Sequence, residues 1–258
     1  MSDTVMGAAP VRGAPFAPYH RWDRNFFLAL VLAIWVGILM GFGGQIADRL
    51  RSGAPPYPWI VHVHAVAFVG WLVLLTAQVL LIRRRRPQLH ARLGIWMMGL
   101  AAFMVVIGPA TAIVMQRLHF GTKDGDPAFL AVQLTDIVAF AILVTAAFLK
   151  RNDPSAHKRL MLLATLYISD AGFARWLGVA IGKMMGAYDG FWPFLAEGFL
   201  LPDLLILSLG AYDLVTRKRL HPAYVGGAAW AAALQLTATY LYNLAPFWKG
   251  WATHLIGH

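Results

Sequence analysis

The sequence predicts an all-α protein, a seven-helix transmembrane bundle with its N-terminus cytoplasmic and its C-terminus periplasmic. Three observations carry this expectation. Hydrophobic residues make up 59% of the 258 residues and charged residues only 13%, against about 45–50% and about 25% in soluble globular domains. The apolar residues fall in seven runs, near 26–44, 58–82, 93–116, 128–149, 158–183, 192–215 and 222–245, and crossing a bilayer takes about 20 residues. The basic residues gather in alternate connections between those runs.

The elements follow in order. Residues 1–25 are rich in Gly, Ala and Pro and read as a flexible cytoplasmic tail. The first run starts at Phe26 with no small-residue cleavage site after it, so it is expected to be a retained helix that directs insertion. The third and sixth runs contain Pro109 and Pro202. Each removes a backbone hydrogen bond and is expected to kink its helix. Gly37/Gly41, Gly178/Gly182 and Gly227/Ala231 place small residues one turn apart, where helices approach closely. The runs at 26–245 form one transmembrane domain, and 246–258 a short periplasmic tail. Trp59, Trp192, Trp248 and Trp251 fall at the outer interface, as belt residues do. Transmembrane strands would alternate polar and apolar residues, and these runs do not.

Charge sets the direction. With the N-terminus inside, the inner side holds Arg12, Arg21, Arg24, Arg83 to Arg86, Arg92, Lys150, Arg151, Lys158, Arg159, Arg217, Lys218 and Arg219. The outer side holds Arg49, Arg51, Arg117, Lys123, Lys183 and Lys249. That is fifteen against six, in the sense of the positive-inside bias. The formal charge of +10 therefore points to anionic lipid headgroups at the cytoplasmic loops rather than to nucleic acid. The absence of cysteine removes disulfides and thiolate chemistry.

Ionisable residues within a span are costly, by about 2.5–3.5 kcal/mol on insertion scales, and are functional candidates by default. Asp136, Asp170, Arg175, Glu197 and Asp203 fall inside the spans. At the rise of a helix they lie roughly 8–20 Å from its outer end, and His64 about 9 Å. All six belong to the outer half of the bilayer. His64, Trp71 and Gln78 share one stripe of the second helix, whereas His62 is turned by about 200° from His64 and falls with Val66, Val69 and Val73. His64 is therefore expected to face inward and His62 the interface. Gln133 and Asp136 form a polar stripe one turn apart. Arg175 is expected to pair with Asp136 or Glu197, since a lone buried charge is untenable. Asp213, one turn before Arg217, reads as a surface pair.

Histidines also mark the inner side. His20, His90, His157 and His221 sit beside basic residues near the starts of helices, at spacings of 70, 67 and 64. The pattern is compatible with a duplicated helical hairpin and equally with ordinary interfacial loops. His90 and His157 begin the third and fifth helices on one side, the depth relation a bis-histidine haem b requires.

Several chemistries fit the outer cluster, and a cofactor-binding (metal or haem) or redox-associated role is the leading expectation. His64 with Asp136, Glu197 or Asp203 supplies nitrogen and oxygen donors for a divalent metal, with His64, Asp136 and Glu197 the expected set. A layer of Asp, Glu, Arg and His also suits a proton relay or a small proton-coupled transporter. Satisfied ion pairs that lock a bundle of an assembly subunit are a third reading, with another membrane protein or a second copy of the chain as partner. Seven-span zinc hydrolases share the helix count, but the seventh helix here offers Gln235, Tyr240 and Asn243 where they carry paired histidines.

The stretch "HVHAVAFVGWLVLLTAQVLLIRRRRPQLHARLG", followed by "HKRLMLLAT", resembles a family of uncharacterised bacterial polytopic membrane proteins. The matching features are an outer-end H-x-H-A, a Trp and a Gln on the same helix, and H-x-R-L-G opening the next. The resemblance covers about residues 57–175. It implies a bacterial inner-membrane location and a helical fold, and a haem or metal role for His64, His90 and His157. A fainter similarity to oxidase-assembly membrane proteins lacks the paired deep histidines of that group.

Overall fold

A computed structural model of the chain describes residues 16–53, 55–122, 125–185 and 190–258. Arg12, Lys123 and the first fifteen residues of the expected tail lie outside the described residues. All regular structure among the described residues is helical. The helices are α1 (Asp23–Ser52), α2 (Trp59–Arg83), α3 (Pro87–His119), α4 (Leu130–Leu149), α5 (Pro154–Tyr167), α6 (Asp170–Phe173), α7 (Val179–Met184), α8 (Phe191–Arg217), α9 (Pro222–Asn243) and α10 (Pro246–Leu255). Five segments are long and apolar enough to cross a membrane: α1, α2, α3, α4 with the 3-10 turn before it, and α8. They mark the chain as a membrane protein.

The fifth expected run departs most from expectation. It is a helical path in pieces: α5, the two-residue interruption Ile168–Ser169, α6, a π-helical turn over Ala174–Gly178, and α7. No proline lies in it beyond Pro154. The interruption is made by short polar side chains that compete with the backbone. The Ser169 hydroxyl donates to the Leu166 carbonyl at 2.7 Å, and the Ala171 N–H donates to the Asp170 carboxyl at 2.6 Å. The backbone tightens, with Ser169 N–H to Leu166 O at 3.2 Å and Gly172 N–H to Ser169 O at 3.0 Å, and then widens into the π turn. Pro109 and Pro202, where kinks are expected, lie within helices that continue through them.

Helix α1 crosses the interruption with its backbone against that of α6. A Cβ on Gly41 would collide with the Gly172 carbonyl, and one on Gly37 would come within 2.5 Å of the Phe173 ring. The small residues at these positions let the two backbones meet. Farther along, Gly178 and Gly182 receive α8 at Glu197 in the same way. Indole hydrogen bonds fix neighbouring helices: Trp35 to the Thr76 hydroxyl at 3.0 Å, and fully buried Trp71 to the Thr165 hydroxyl at 3.1 Å. The largest core cluster joins Phe27, Val31 and Ile34 of α1 to Trp71 and Leu75 of α2 and Leu163 and Leu166 of α5.

Two expectations about the termini change. The C-terminal residues form α10, whose Trp248, Ala252 and Ile256 pack on Ala112, Ala128 and Leu130. The Trp248 indole donates to the Ala128 carbonyl at 2.8 Å, so Trp248 belongs to the core, while Trp59, Trp192 and Trp251 are exposed as belt residues are. At the other terminus, residues 16–22 are tied down. Arg217 Nε donates to the Ala17 carbonyl and Lys158 Nζ to the Pro18 carbonyl, each at 3.0 Å.

Candidate functional site

The helix interruption brings carboxyl groups together. Asp136, on the inward stripe of α4, meets the carboxyl of Asp170 at the first residue of α6. Asp170 is buried, and Oδ1 of Asp136 is out of solvent reach and without a partner. Asp203 of α8 faces the same region and accepts a hydrogen bond from Gln235 of α9 at 2.8 Å. Tyr167, the last residue of α5, is 0% exposed. Its hydroxyl lies in the field of all three carboxyls, beside the Thr135 hydroxyl, and makes no hydrogen bond of normal geometry among the described residues. The nearby Thr135 hydroxyl donates to the Ala131 and Val132 carbonyls at 2.8 and 3.0 Å.

This grouping keeps three of the expected site residues and releases four. His64 does face inward, and His62 outward, as their stripes predict. But the His64 ring stacks on Phe68, centroids 4.1 Å apart, and no carboxyl reaches it. Gln78 lies at the far end of α2, where its amide donates to the His90 carbonyl at 3.1 Å. Arg175 is exposed, donates to the Ala171 carbonyl at 2.7 Å and covers the Phe42 ring at 4.9 Å. The expected ion pair with Asp136 or Glu197 is absent among the described residues. The guanidinium is held by a carbonyl and a ring, and its charge still acts on Asp170 without a direct ion pair. Glu197 sits over Gly182 between α7 and α8. The expected metal donors His64, Asp136 and Glu197 therefore belong to three separate surroundings, and no group of three or more His, Asp or Glu among the described residues is arranged to hold a metal.

His90 and His157 do meet. Their rings stand edge to face at 6.0 Å between centroids. The His157 Nδ1–H donates to the Ala147 carbonyl at 2.9 Å, which leaves Nε2 as its lone-pair nitrogen. Nδ1 of His90 and Oε1 of Gln78 are buried without partners.

A further polar centre escapes the sequence reading. Asp213 is not a surface group: it and Arg159 are both 0% exposed and joined in a two-bond pair, Nε to Oδ2 at 2.7 Å and Nη2 to Oδ1. Asp23 lies beside it, accepting from Lys158 at 2.7 Å, from the Tyr212 hydroxyl at 2.5 Å and from Arg217 at 3.0 Å. His221 caps α9 by accepting from the Ala223 N–H at 3.1 Å. Burial, and next the Arg159 guanidinium, lower the pKa of His221, which keeps the ring neutral and its Nδ1 free to accept. The Asp213–Arg217 pair expected from local spacing is present at 4.0 Å but buried, and the other charges converge from helix ends far apart in the chain. The Ser169-Asp170 pair inside an apolar run was the available local signal for the helix interruption.

The fold and the site define a polytopic helical membrane protein with an internal carboxyl cluster. The chain matches no protein-family model, no curated protein and no solved structure.

Proposed function

We propose that this chain is a small proton-coupled transporter of the bacterial inner membrane, in which the Asp136–Asp170 pair takes up and releases a proton. The observation that carries the reading is the meeting of these two carboxyls at an interruption in a helix. Two carboxyls near enough to act on each other away from water favour one shared proton over two charges. Irregular backbone at membrane depth is tolerated where it lines a cavity or an ion site, and π turns recur at functional sites. The unpartnered hydroxyl of Tyr167 supplies a donor and acceptor beside the pair.

In this reading the chain crosses the membrane seven times. The α5–α7 path and α9 add two passages to the five apolar segments. The basic residues put the N-terminus in the cytoplasm and the C-terminus in the periplasm. Anionic headgroups meet the inner loops, nucleic acid has no part, and protein partners, a second copy of the chain included, belong to the same membrane.

The test is proton flux into liposomes containing the purified chain and a trapped pH dye. Asp136→Asn and Asp170→Asn are each expected to lower the flux at least tenfold, with Asp48→Asn, an exposed control, unchanged. If wild type carries no flux, or both variants match it, the transport reading fails. Variants that lose only thermal stability would make the same carboxyls structural, as in an assembly subunit.

One observation favours a second, separate site. His90 and His157 would offer two nitrogen donors to a haem b or a metal, since His157 already donates its other ring N–H to a carbonyl, as metal-ligating histidines do. Such a group would supply one-electron chemistry at the Arg83–Arg86 end. A Soret band in the purified protein that His157→Ala abolishes would support it. A colourless, metal-free preparation with unchanged His157→Ala behaviour would remove it.

A further inference from the structure

A cavity of about 610 Å³ opens at the end of the bundle where α4 and α8 begin and α9 ends. Its wall carries four aromatic rings, Phe129, Phe191, Phe194 and Tyr242, with Glu197 and Asn243. The Phe194 and Tyr242 rings are stacked at 4.2 Å, and Phe129 stands at 88° to Tyr242 with centroids 6.3 Å apart, so the aromatic surfaces form a corner rather than a flat patch. Among the described residues no lysine or arginine lines the cavity. Glu197 has no hydrogen-bond or ion-pair partner among the described residues, and Gly182, lacking a side chain, leaves room for its carboxyl. The Asn243 amide N–H₂ is used on the Thr239 carbonyl at 3.0 Å, which leaves its oxygen as an acceptor.

We propose that this cavity binds a small organic cation of the quaternary or primary ammonium class. Ring faces attract a cation through their quadrupole, and a carboxylate without a counter-ion completes the complementarity. A cavity of this size suits a small ligand. An anionic ligand would meet Glu197 and no compensating base. A neutral apolar ligand would leave Glu197 and the Asn243 oxygen without use.

The cavity also lies over the carboxyl cluster. Phe129, at the end of the 3-10 turn leading into α4, and Asp136 of α4, like Tyr242 and Gln235 of α9, are seven residues apart. That is two turns on one helix face, roughly 10 Å. Phe199, 1% exposed and packed with Val132 and Ala238, closes the space between. Binding at the cavity does not depend on the transport reading, but under that reading it is where the solute enters.

The probe is radiolabelled choline, bound at equilibrium to the purified full chain in detergent. Saturable binding is expected, with the neutral isostere 3,3-dimethylbutan-1-ol competing at least tenfold more weakly than unlabelled choline. Glu197→Gln is expected to weaken choline binding at least tenfold while its circular dichroism and elution match wild type. Should that variant not fold, Phe194→Leu takes its place with the same expected loss. Asp136→Asn is expected to bind choline as wild type does, whatever its proton flux, so failure of the cavity and failure of the carboxyl site are read separately. Absence of saturable choline binding to wild type, equal competition by the isostere, or undiminished binding in a folded cavity variant overturns the proposal.

Discussion

Arg159 of α5 and Asp213 of α8 are joined by two side-chain hydrogen bonds with neither residue exposed, across 54 residues of chain. The Arg159 guanidinium also donates to the Ser155 carbonyl at 2.8 Å. Its remaining charge is spread under the Phe16 ring, 4.8 Å away. Removing one partner strands the other's charge in the interior. Asp213→Ala is therefore expected to destabilise by about 3–5 kcal/mol, and Arg159→Met with Asp213→Leu to recover most of the loss. Thermal denaturation in detergent checks both. A mild effect of Asp213→Ala would show that water reaches the pair.

The α1–α6 contact predicts a contrast between neighbouring glycines. Gly41→Ala pushes a methyl into the Gly172 carbonyl, and overpacking of this kind costs about 1–3 kcal/mol. Gly43, two residues further on, would hold a Cβ in open space, with nothing within 4 Å. Gly43→Ala is expected to be neutral or to stabilise by up to about 1 kcal/mol through helix propensity. Equal melting temperatures for the two variants would contradict the close crossing.

Tyr167→Phe separates a functional hydroxyl from a structural one. The group is buried and unpartnered, so its removal is expected to keep stability or raise it by about 1 kcal/mol. Proton flux is expected to fall nonetheless, since the hydroxyl faces the carboxyl cluster. Denaturation and liposome flux on the same preparation decide it: flux equal to wild type would remove Tyr167 from the relay.

Acid should weaken the His221 cap. The folded state holds this imidazole below its ordinary value, so the folded chain binds its proton less readily than the unfolded chain. Stability from this group is complete above a pKa of about 6.5, the unfolded value, and is lost as pH falls below it. His221→Asn keeps a capping side chain without the titration. The drop in melting temperature between pH 7 and pH 5 is expected to be smaller in His221→Asn than in wild type, and an equal drop would place the titration elsewhere.

How much was legible in the sequence varies by element. Apolar runs and their lengths located the helices because burial in lipid acts on each run independently. The inward face of His64 and the outward face of His62 followed from angular position alone. The three glycine pairs were readable because close packing needs small residues whatever the partner. Depth along each helix brought Asp136, Asp170 and Asp203 into one layer. It also brought in His64 and Glu197, which the structure places apart, and Arg175, whose charge acts on Asp170 without pairing with it, because depth carries no information about which helices are neighbours.

By itself, then, the sequence determined the class of protein and the level at which its polar groups sit, through hydropathy and helical rise. Only the tertiary structure decided which groups touch. It turned Arg175 outward at a π turn, left His64 without a carboxyl beside it, and set Asp136 near Asp170 at an interruption that no proline announces. It also buried Asp213 against Arg159. The physical reason is that a carboxyl's partner is chosen by helix rotation and neighbour identity, which arise from packing summed over the whole bundle. Apolar length is a property of one segment at a time.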